Sequence, residues 1–457
     1  MSRNGLLRTP RSAGRVRFSS ATGFRSLVVV CALALSPLAC GSSEPAAKPA
    51  APPKAAKPAA PAQPVAAEAK LDPKATHALV LALAKFPKTV PGKPPVPAPA
   101  SLEFLVPTVS GEWKMVALED NESNVFHKAM EYPGPDGPQL LSAAGSAATL
   151  KLWDKRDGKL VATTLWKKDF GGKFSRMRDI EIADLYGDGQ AAIAVATHDQ
   201  GVVAILKPDG KGGFSIEELD VEENTFVHEI EIGDLNGDGI LEVYATPSEP
   251  NRLDGREQTG AVVRYVPAIG EGRVVVADLG THHAKEILVQ DVDGDGIDEL
   301  YVAVEGRIDP ETKRLVAGVE IRRYDADTDP TQGVLVAEIP DRLSRFLTAA
   351  DIDGDGKKEM VVAAFSSGLW LLRPSDSGLW ERESIDKDSG GFEHAALLKD
   401  LDGDGRAELY VASDNDKEVR RYVWEGGRFK KTTIYRRKEA GSVFTWNLMA
   451  VPLGLVP

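Results

Sequence analysis

Acidic residues recur at fixed positions in a short glycine-containing loop of the sequence. In the segment DVDGDGIDE, side-chain oxygens stand at positions 1, 3, 5 and 9, which are Asp291, Asp293, Asp295 and Glu299, and a backbone carbonyl is expected from Ile297 at position 7. Carboxylates packed this closely would repel one another strongly without a cation. Calcium takes six to eight hard oxygen ligands. The loop therefore predicts a calcium site.

The spacing differs from that of a helix-flanked calcium loop. An EF-hand has a Glu at position 12 and helices on both sides, whereas position 12 here is Val302 and the flanking segments are typical of strands. An alternative is that the loop is only a polar β-turn, in which Asp and Gly serve the backbone geometry. Recurrence of the loop along the chain favours calcium.

The loop belongs to a repeat. Five segments share an apolar strand, an acidic glycine loop and a second apolar strand, and their loops begin at Asp184, Asp234, Asp291, Asp351 and Asp400. The intervals of 50, 57, 60 and 49 residues are close to the length of a propeller blade. The strings between the loops are β-rich, so each unit is predicted to form four short antiparallel strands. Such a unit is one blade of a β-propeller.

Two further segments, HKAMEYP and WNLMAVP, resemble the entry strands but carry Pro in place of the leading Asp. They bring the number of entry strands to seven. The last has almost no chain after it, whereas residues 102–120 are typical of two outer strands. The termini are therefore predicted to share the seventh blade, which removes free strand edges. The predicted fold class is all-β, a closed seven-bladed β-propeller.

The spacing of the acidic residues, the GDG core of the loop and the strand that follows the loop resemble the FG-GAP/VCBS repeats of integrin alpha-subunit propellers and of many bacterial surface proteins. The resemblance covers residues 101–457 and implies structural calcium. It implies further ligands at the same loop positions, with position 7 contributing its backbone carbonyl. These are Asp351, Asp353, Asp355, Lys357 and Glu359; Asp400, Asp402, Asp404, Arg406 and Glu408; and Asp234, Asn236, Asp238, Ile240 and Glu242.

Two of the five loops depart from the complete pattern. Asn236 supplies a neutral ligand, so the loop at Asp234 is expected to bind calcium more weakly. The first loop keeps Asp184 and Asp188 but has Tyr186 at position 3 and Ala at position 9. The resemblance therefore implies little or no calcium in that loop.

A polar or aromatic residue opens each entry strand. Because entry strands lie innermost in a propeller, these residues are expected to gather near one end of the central channel and form a ring for an anionic or sugar ligand, stacked on Trp446. The alternative is that they pair with acidic residues of the same or adjacent strands. The ring comprises His127, Arg178, His228, Lys285, Arg345, His394 and Trp446.

The first 39 residues are typical of an export signal. They carry six Arg and no acid, and their apolar run LVVVCALAL is too short to span a bilayer, which takes roughly 20 residues. The following SPLACGSS resembles the lipobox of bacterial lipoproteins, which implies that Cys40 is acylated after cleavage. The alternative is an ordinary secretory signal with a spare thiol. The predicted location is extracytoplasmic, at the outer membrane or cell surface, with the membrane contacted through the lipid.

Composition divides the remaining chain. Residues 40–71 are predicted to be a disordered Ala/Pro/Lys linker, residues 72–100 a short helix in ATHALVLALAKF and a Pro-rich segment, and residues 101–457 the propeller. Without the six arginines of the signal, the net charge falls from −13 to −19. A body this acidic repels phosphate backbones and anionic headgroups, which disfavours nucleic acid as a partner.

No GxSxG, HExxH or isolated carboxylate pair indicates catalysis. The sequence therefore predicts a non-enzymatic, calcium-binding propeller that acts as a binding or scaffold module with a protein or glycan partner. A polysaccharide-processing enzyme and a subunit of an envelope complex are the alternatives, because fold alone does not separate these classes.

Overall fold

The structure is a computed structural model of the 457-residue chain, and it describes residues 70–87, 96–145, 148–171, 175–198, 200–247, 258–375, 378–439 and 441–457. The predicted signal peptide, Cys40 and the linker as far as residue 69 lie outside these residues. The described part contains thirty β-strands and three short 3-10 helices. None of its helices has the length and apolar character that a membrane crossing requires.

The strands form seven four-stranded antiparallel sheets and one small hairpin. Three strands precede the first complete sheet: β1 (His77–Phe86), β2 (Ala100–Pro107) and β3 (Trp113–Asp120). Blade 1 contains β4 (Phe126–Gly134), β5 (Gly137–Ala144), β6 (Thr149–Arg156) and β7 (Lys159–Lys167). Blade 2 contains β8 (Met177–Ala183), β9 (Ala192–Thr197), β10 (Val202–Pro208) and β11 (Phe214–Val221).

The next two blades differ by an insertion. Blade 3 contains β12 (Val227–Gly233), β13 (Glu242–Pro247), β14 (Gly260–Val266) and β15 (Glu271–Gly280). Blade 4 and its inserted hairpin contain β16 (Ala284–Gln290), β17 (Glu299–Val304), the hairpin strands β18 (Arg307–Ile308) and β19 (Leu315–Ala317), β20 (Val319–Tyr324) and β21 (Val334–Ile339).

The last blades repeat the regular pattern. Blade 5 contains β22 (Ser344–Ala350), β23 (Glu359–Ala364), β24 (Leu369–Arg373) and β25 (Glu381–Asp386). Blade 6 contains β26 (Ala396–Lys399), β27 (Glu408–Ser413), β28 (Glu418–Glu425) and β29 (Arg428–Arg436). The final strand, β30 (Ser442–Pro452), pairs with β1, and the sheet order β30-β1-β2-β3 makes blade 7 from both ends of the chain.

The seven sheets close into a ring. The first strand of each sheet contacts the first strands of its two neighbours, from β4 through β30 and back to β4. Among the described residues, seven apolar clusters each join two adjacent blades. Burial between blades is the dominant stabilising contribution in such a fold. The predicted seven-bladed propeller with a shared last blade is confirmed.

The helix predicted within residues 72–87 is wrong, because this segment forms strand β1. β1 pairs with β30 over its whole length and with β2 on its other side. Leu79, Leu81 and Leu83 pack in the cluster shared with blade 6, whereas Val80 and Ala82 pack in the cluster shared with blade 1. Ala and Leu favour helices intrinsically, but burial on both faces of a central strand outweighs that preference.

The propeller consequently begins before the predicted boundary at residue 101. Leu71 forms an isolated antiparallel bridge with Thr108, and the backbone N–H of Asp72 donates to the carbonyl of Pro107. The last residues of the predicted linker thus contact the turn between β2 and β3, so the N-terminal strands are held in blade 7.

Candidate functional site

The acidic loops join the first and second strands of blades 2 to 6. They lie at one end of the channel, called here the loop end. Neighbouring loops touch there, since the Asp298 carboxylate accepts hydrogen bonds from the backbone N–H groups of Asp234 and Asp291, both at 2.8 Å. The residues that open the first strands lie at the other end, called here the opening end.

Glycines at loop positions 4 and 6 produce the tight turn. φ is +82° at Gly294 and +92° at Gly296, a region that side chains with a Cβ rarely adopt. The turn directs both N–H groups to the carboxylate of Asp291, at 2.7 Å and 3.2 Å. The loops at Asp351 and Asp400 repeat both hydrogen bonds at 2.7–3.0 Å.

The other acidic side chains of the loop are oriented by backbone N–H groups. Asp293 accepts from Asp295 at 3.2 Å, and Asp295 accepts from Ile297 at 2.8 Å. Glu299, at the start of β17, accepts from Val292 at 2.9 Å through Oε2. Each carboxylate therefore keeps capacity for a further cationic partner.

Carboxylate oxygens converge in three of the loops. Within each group, one oxygen per residue lies within 4.8 Å of the others. Calcium–oxygen distances are about 2.3–2.6 Å, so oxygens around one ion are separated by about 5 Å at most. The donor chemistry and spacing therefore fit calcium. The groups are Asp291, Asp293, Asp295 and Glu299; Asp400, Asp402, Asp404 and Glu408; and Asp351, Asp353 and Asp355.

Two loops gather fewer ligands than the resemblance implies. Glu359 accepts from the N–H of Ile352 at 2.9 Å but does not join the group formed by Asp351 and its neighbours. Among the described residues, the loop at Asp234 forms no group of three acidic ligands; there Nη1 of Arg264 lies 2.9 Å from Oε1 of Glu242. That loop is the one predicted to bind calcium more weakly.

A guanidinium from the third strand reaches several loops, which the sequence analysis missed. Nη1 of Arg323 lies 2.9 Å from Oδ2 of Asp293, and its Nη2 lies 3.5 Å from Oε1 of Glu299. In blade 6, Arg421 contacts Glu408 at 2.6 Å in the same way. The available signal was an Arg-Tyr dipeptide that recurs in the third strands of blades 3, 4 and 6.

The guanidinium is paired across the sheet with a tyrosine. Arg323 stands opposite Tyr301, whose hydroxyl donates to Glu299 at 3.2 Å. In blade 5 the corresponding pair is Leu371 and Val361, which offer neither charge nor hydroxyl. The calcium loops therefore differ in their surroundings even where their acidic residues are the same.

Burial and the nearby arginine shift the pKa values of the loop carboxyls in opposite directions. Burial raises the pKa of Glu299 to about 7, and burial likewise raises the pKa of Glu359 and of Glu408. Burial alone would also raise the pKa of Asp293, but its hydrogen bond to Arg323 and the charge of that group lower it overall. A cation in the loop would favour ionised Glu299.

A lysine occupies the incomplete first loop. Nζ of Lys207 lies 2.9 Å from Oδ2 of Asp188 and 3.8 Å from the ring centroid of Tyr186. The hydrogen bond from Lys207 is the largest cause of a lowered pKa at Asp188. Asp184 accepts from the backbone N–H groups of Asp188 and Gly189 at 3.0 Å and 2.8 Å. Lys207 on the third strand, β10, thus supplies a positive charge beside Asp188 in this loop.

At the opening end, four residues of the predicted ring come together. The His127 and Trp446 ring centroids are 4.9 Å apart, edge to face, and the Arg178 guanidinium lies 5.3 Å from the Trp446 ring. Arg178 and Arg345 both approach Glu393, a residue absent from the prediction, at 3.6 Å and 3.0 Å. Glu393 is thus a carboxylate that two arginines of this end share.

The other three predicted ring residues make other contacts. His394 is fully buried, and its ring contacts the Ser389 hydroxyl at 2.8 Å and the Ala364 carbonyl at 2.7 Å. Burial lowers its pKa to about 4. Lys285 pairs with Glu305 at 3.8 Å, and the His228 ring lies 5.3 Å from that of His198.

Further inside the channel, one lysine meets several carboxylates. Lys128 on β4 forms ion pairs with Asp179, at 3.0 Å, and with Glu181 on β8. Burial is the largest cause of the raised pKa of Glu229 and of Glu231 on β12, and neighbouring carboxylates add to it. The acidic residues of β8 and β12, which were the alternative partners of the predicted ring, therefore lie around Lys128.

Comparison with solved structures shows the fold. A candidate 6-phosphogluconolactonase from Bacteroides fragilis is 13% identical, with a TM-score of 0.50 over 83% of this chain and 99% of that one. A protein from Lactobacillus plantarum is 10% identical, with a TM-score of 0.51 over 82% and 99%. A candidate 6-phosphogluconolactonase from Bacteroides uniformis is 12% identical, with a TM-score of 0.50 over 82% and 99%.

Sequence comparison locates the repeat within blades 2 and 3. No curated protein matches the chain. The matched segment contains the first two acidic loops, which begin at Asp184 and Asp234, the strand β9 and the first residues of β13. Residues 184–245 match the family model of the FG-GAP-like repeat, and the chain that carries them folds as a seven-bladed β-propeller.

Proposed function

We propose that this chain is an exported, lipid-anchored β-propeller that binds structural calcium and acts as a binding or scaffold module at the cell envelope. The observation that carries the calcium role is the convergence of carboxylate oxygens to within 4.8 Å in three loops. Three or four carboxylates at this separation repel one another and destabilise the loop unless a cation neutralises them. Calcium bound there connects the first two strands of a blade and couples metal binding to folding.

The calcium role is tested by calorimetry and thermal unfolding of the purified chain. We expect calcium binding at the loops of blades 4, 5 and 6 and a melting temperature that rises with calcium and falls on chelation. Magnesium is the control, because it requires shorter distances and near-octahedral geometry. Absence of calcium binding up to about 1 mM, the range of weak extracellular sites, would contradict the proposal.

The module role is favoured by the arrangement of the channel. Its loop end carries the acidic loops, and its opening end carries Arg178, Arg345 and Trp446 in contact with one another or with Glu393. The likeness to two candidate 6-phosphogluconolactonases, at 12–13% identity, supports a shared fold. It gives no support to a shared activity. Pulldown and glycan-array binding, with and without calcium, distinguish a binding module from an envelope-complex subunit or an enzyme.

A further inference from the structure

Asn236 stands at position 3 of the blade 3 loop and is followed by Gly237. Both residues are exposed to solvent. The side-chain amide of an asparagine can be attacked at Cγ by the backbone nitrogen of the next residue, and glycine, which has no Cβ, hinders this attack least. Among the described residues, no other asparagine precedes a glycine. The dipeptide is therefore a candidate site of covalent modification.

The backbone N–H of Gly237 lacks the hydrogen bond that its counterparts make. In blades 4, 5 and 6, the N–H at the same loop position donates to the leading aspartate at 2.7 Å. In blade 3, Oδ1 of the leading Asp234 accepts from the N–H of Asp238 instead, at 3.2 Å. A hydrogen bond to a carboxylate is a strong restraint on an N–H group. Because no acceptor among the described residues holds the Gly237 N–H, its nitrogen is available as a nucleophile.

The side-chain amide of Asn236 is held by two hydrogen bonds to Asp238. The backbone N–H of Asp238 donates to Oδ1 of Asn236 at 2.9 Å, and Nδ2 of Asn236 donates to Oδ2 of Asp238 at 3.1 Å. The first bond closes a ring of side-chain and backbone atoms that contains the Gly237 nitrogen, as in an Asx-turn. It therefore keeps Cγ on the side of the chain where that nitrogen lies, and it polarises the carbonyl that the nitrogen attacks.

We infer that Asn236 deamidates spontaneously to a carboxylate in the folded protein. The Gly237 nitrogen bonds to Cγ and gives up its proton, the bond from Cγ to Nδ2 breaks, and ammonia leaves with that proton, which forms a cyclic imide. Water then opens the imide. Cleavage of its bond between Cγ and nitrogen gives aspartate, and cleavage of the backbone bond gives isoaspartate. Overall, water is consumed, ammonia is released and no atom is oxidised or reduced.

The surroundings of position 3 accommodate a carboxylate. In blades 4, 5 and 6 this position is an aspartate, and its oxygen lies within 4.8 Å of those at positions 1 and 5. Arg264 stands opposite Tyr244 as Arg323 stands opposite Tyr301, and Arg323 lies 2.9 Å from the aspartate at position 3 of its own loop. An aspartate at residue 236 would complete positions 1, 3 and 5 and strengthen calcium binding. This gain rests on the proposed calcium role, whereas deamidation itself does not.

Peptide mapping by mass spectrometry tests the modification in the purified chain, incubated with a chelator in mildly alkaline buffer. Asn415, which is exposed and followed by Asp416, is the internal control. We expect a carboxylate to accumulate at residue 236 about tenfold or more faster than at residue 415, because glycine leaves the attacking nitrogen unhindered. No conversion of Asn236, or equal rates at both residues, would overturn the inference. Chromatography separates the two products, and isoaspartate without aspartate would overturn the gain in calcium binding.

Asn236→Asp reproduces the product, and its matched control is Asn415→Asp. Calorimetry should show calcium binding about threefold or more tighter at one site in the first variant and no change in the second, because added ligand charge strengthens calcium binding. Far-UV circular dichroism and thermal melting check that both variants fold. Unchanged calcium affinity in folded Asn236→Asp would overturn the gain in calcium binding. Deamidation without any calcium binding contradicts only the calcium role, and calcium binding with an unchanged Asn236 contradicts only this inference.

Discussion

Nη1 of Arg323 lies 2.9 Å from Oδ2 of Asp293, so a guanidinium from the third strand of blade 4 contacts one of the predicted calcium ligands. The same side chain lies 3.5 Å from Glu299 at the other end of the ligand set. One positive charge is therefore built into the wall of an acidic loop. Calcium binding in this loop is balanced against a protein cation. In blade 5 the corresponding position is Leu371, and the nearest guanidinium, that of Arg373, lies 4.0 Å from Oδ2 of Asp353.

Arg323→Leu is expected to strengthen calcium binding to the blade 4 loop. Two unit charges about 4 Å apart in water interact by about 1 kcal/mol, which corresponds to about a fivefold change in affinity. Calcium calorimetry on the variant measures it. The matched control is Arg322→Leu on the same strand, because Arg322 pairs with Glu320 and not with the loop. Weaker calcium binding in Arg323→Leu would show instead that Arg323 supports Asp293 as a ligand.

Asp353→Ala is expected to remove about one calcium equivalent and to reduce the stabilisation by calcium. A ligand that binds only the folded protein adds RT ln(1 + [L]/Kd) to the free energy of unfolding, about 2.7 kcal/mol at a hundredfold excess over Kd. Asp188→Ala is the control, since Lys207 already neutralises that loop at 2.9 Å. Equal calcium stoichiometry in the two variants, measured by calorimetry, would show that the acidic loop at Asp351 is a polar turn and not a calcium site.

Leu81→Ala is expected to lower the free energy of unfolding by about 2–5 kcal/mol, the range for a buried leucine. Leu81 is fully buried on β1 between blades 6 and 7. Val96→Ala, at a site 68% exposed, should change the free energy of unfolding by less than about 0.5 kcal/mol. Denaturant titration measures both. A small effect at Leu81 would indicate that β1 is dispensable for the seventh blade.

Glu231→Gln is expected to stabilise the protein at pH 8 and to have little effect at pH 4. Burial and the charge of Glu181 raise the pKa of Glu231 well above the usual value of about 4.3. The folded state therefore disfavours the ionised form, and stability falls as pH rises through the folded-state pKa. Melting temperatures across this range test the difference, with Glu119→Gln on exposed β3 as control. If the difference in melting temperature between Glu231→Gln and the unchanged protein were the same at all pH values, titration of Glu231 would be excluded as its cause.

Cys40→Ser is expected to move the protein from the membrane fraction to the soluble fraction. Cys40 is the cysteine of the segment that resembles a lipobox, and the other cysteine, Cys31, lies within the predicted signal peptide. Fractionation followed by immunoblotting measures the partition, with Cys31→Ser as the control that should stay membrane-bound. Unchanged membrane partition of an exported Cys40→Ser protein would contradict lipid anchoring.

Local sequence determined most of the fold. The acidic loops mark the turn after the first strand of blades 2 to 6, because their glycines at positions 4 and 6 adopt backbone conformations that other residues avoid. Their regular spacing predicted the blades, and two further segments of the same shape, with Pro in place of the leading Asp, gave the blade number and the closure by both termini. The acidic residues at positions 1, 3 and 5 also converge in blades 4, 5 and 6 as their spacing predicts, since a tight loop leaves them few alternative positions.

Tertiary packing decided the rest. Strand β1 has a composition that favours a helix, and only the neighbouring blades supply the two apolar surfaces that make it a buried strand. Likewise, Glu393 approaches Arg178, whereas the ring of the adjacent His394 contacts Ser389 and the carbonyl of Ala364. Arg323 reaches Asp293 across 30 residues of sequence. Contacts between distant segments depend on side-chain direction and sheet register, which local spacing does not determine.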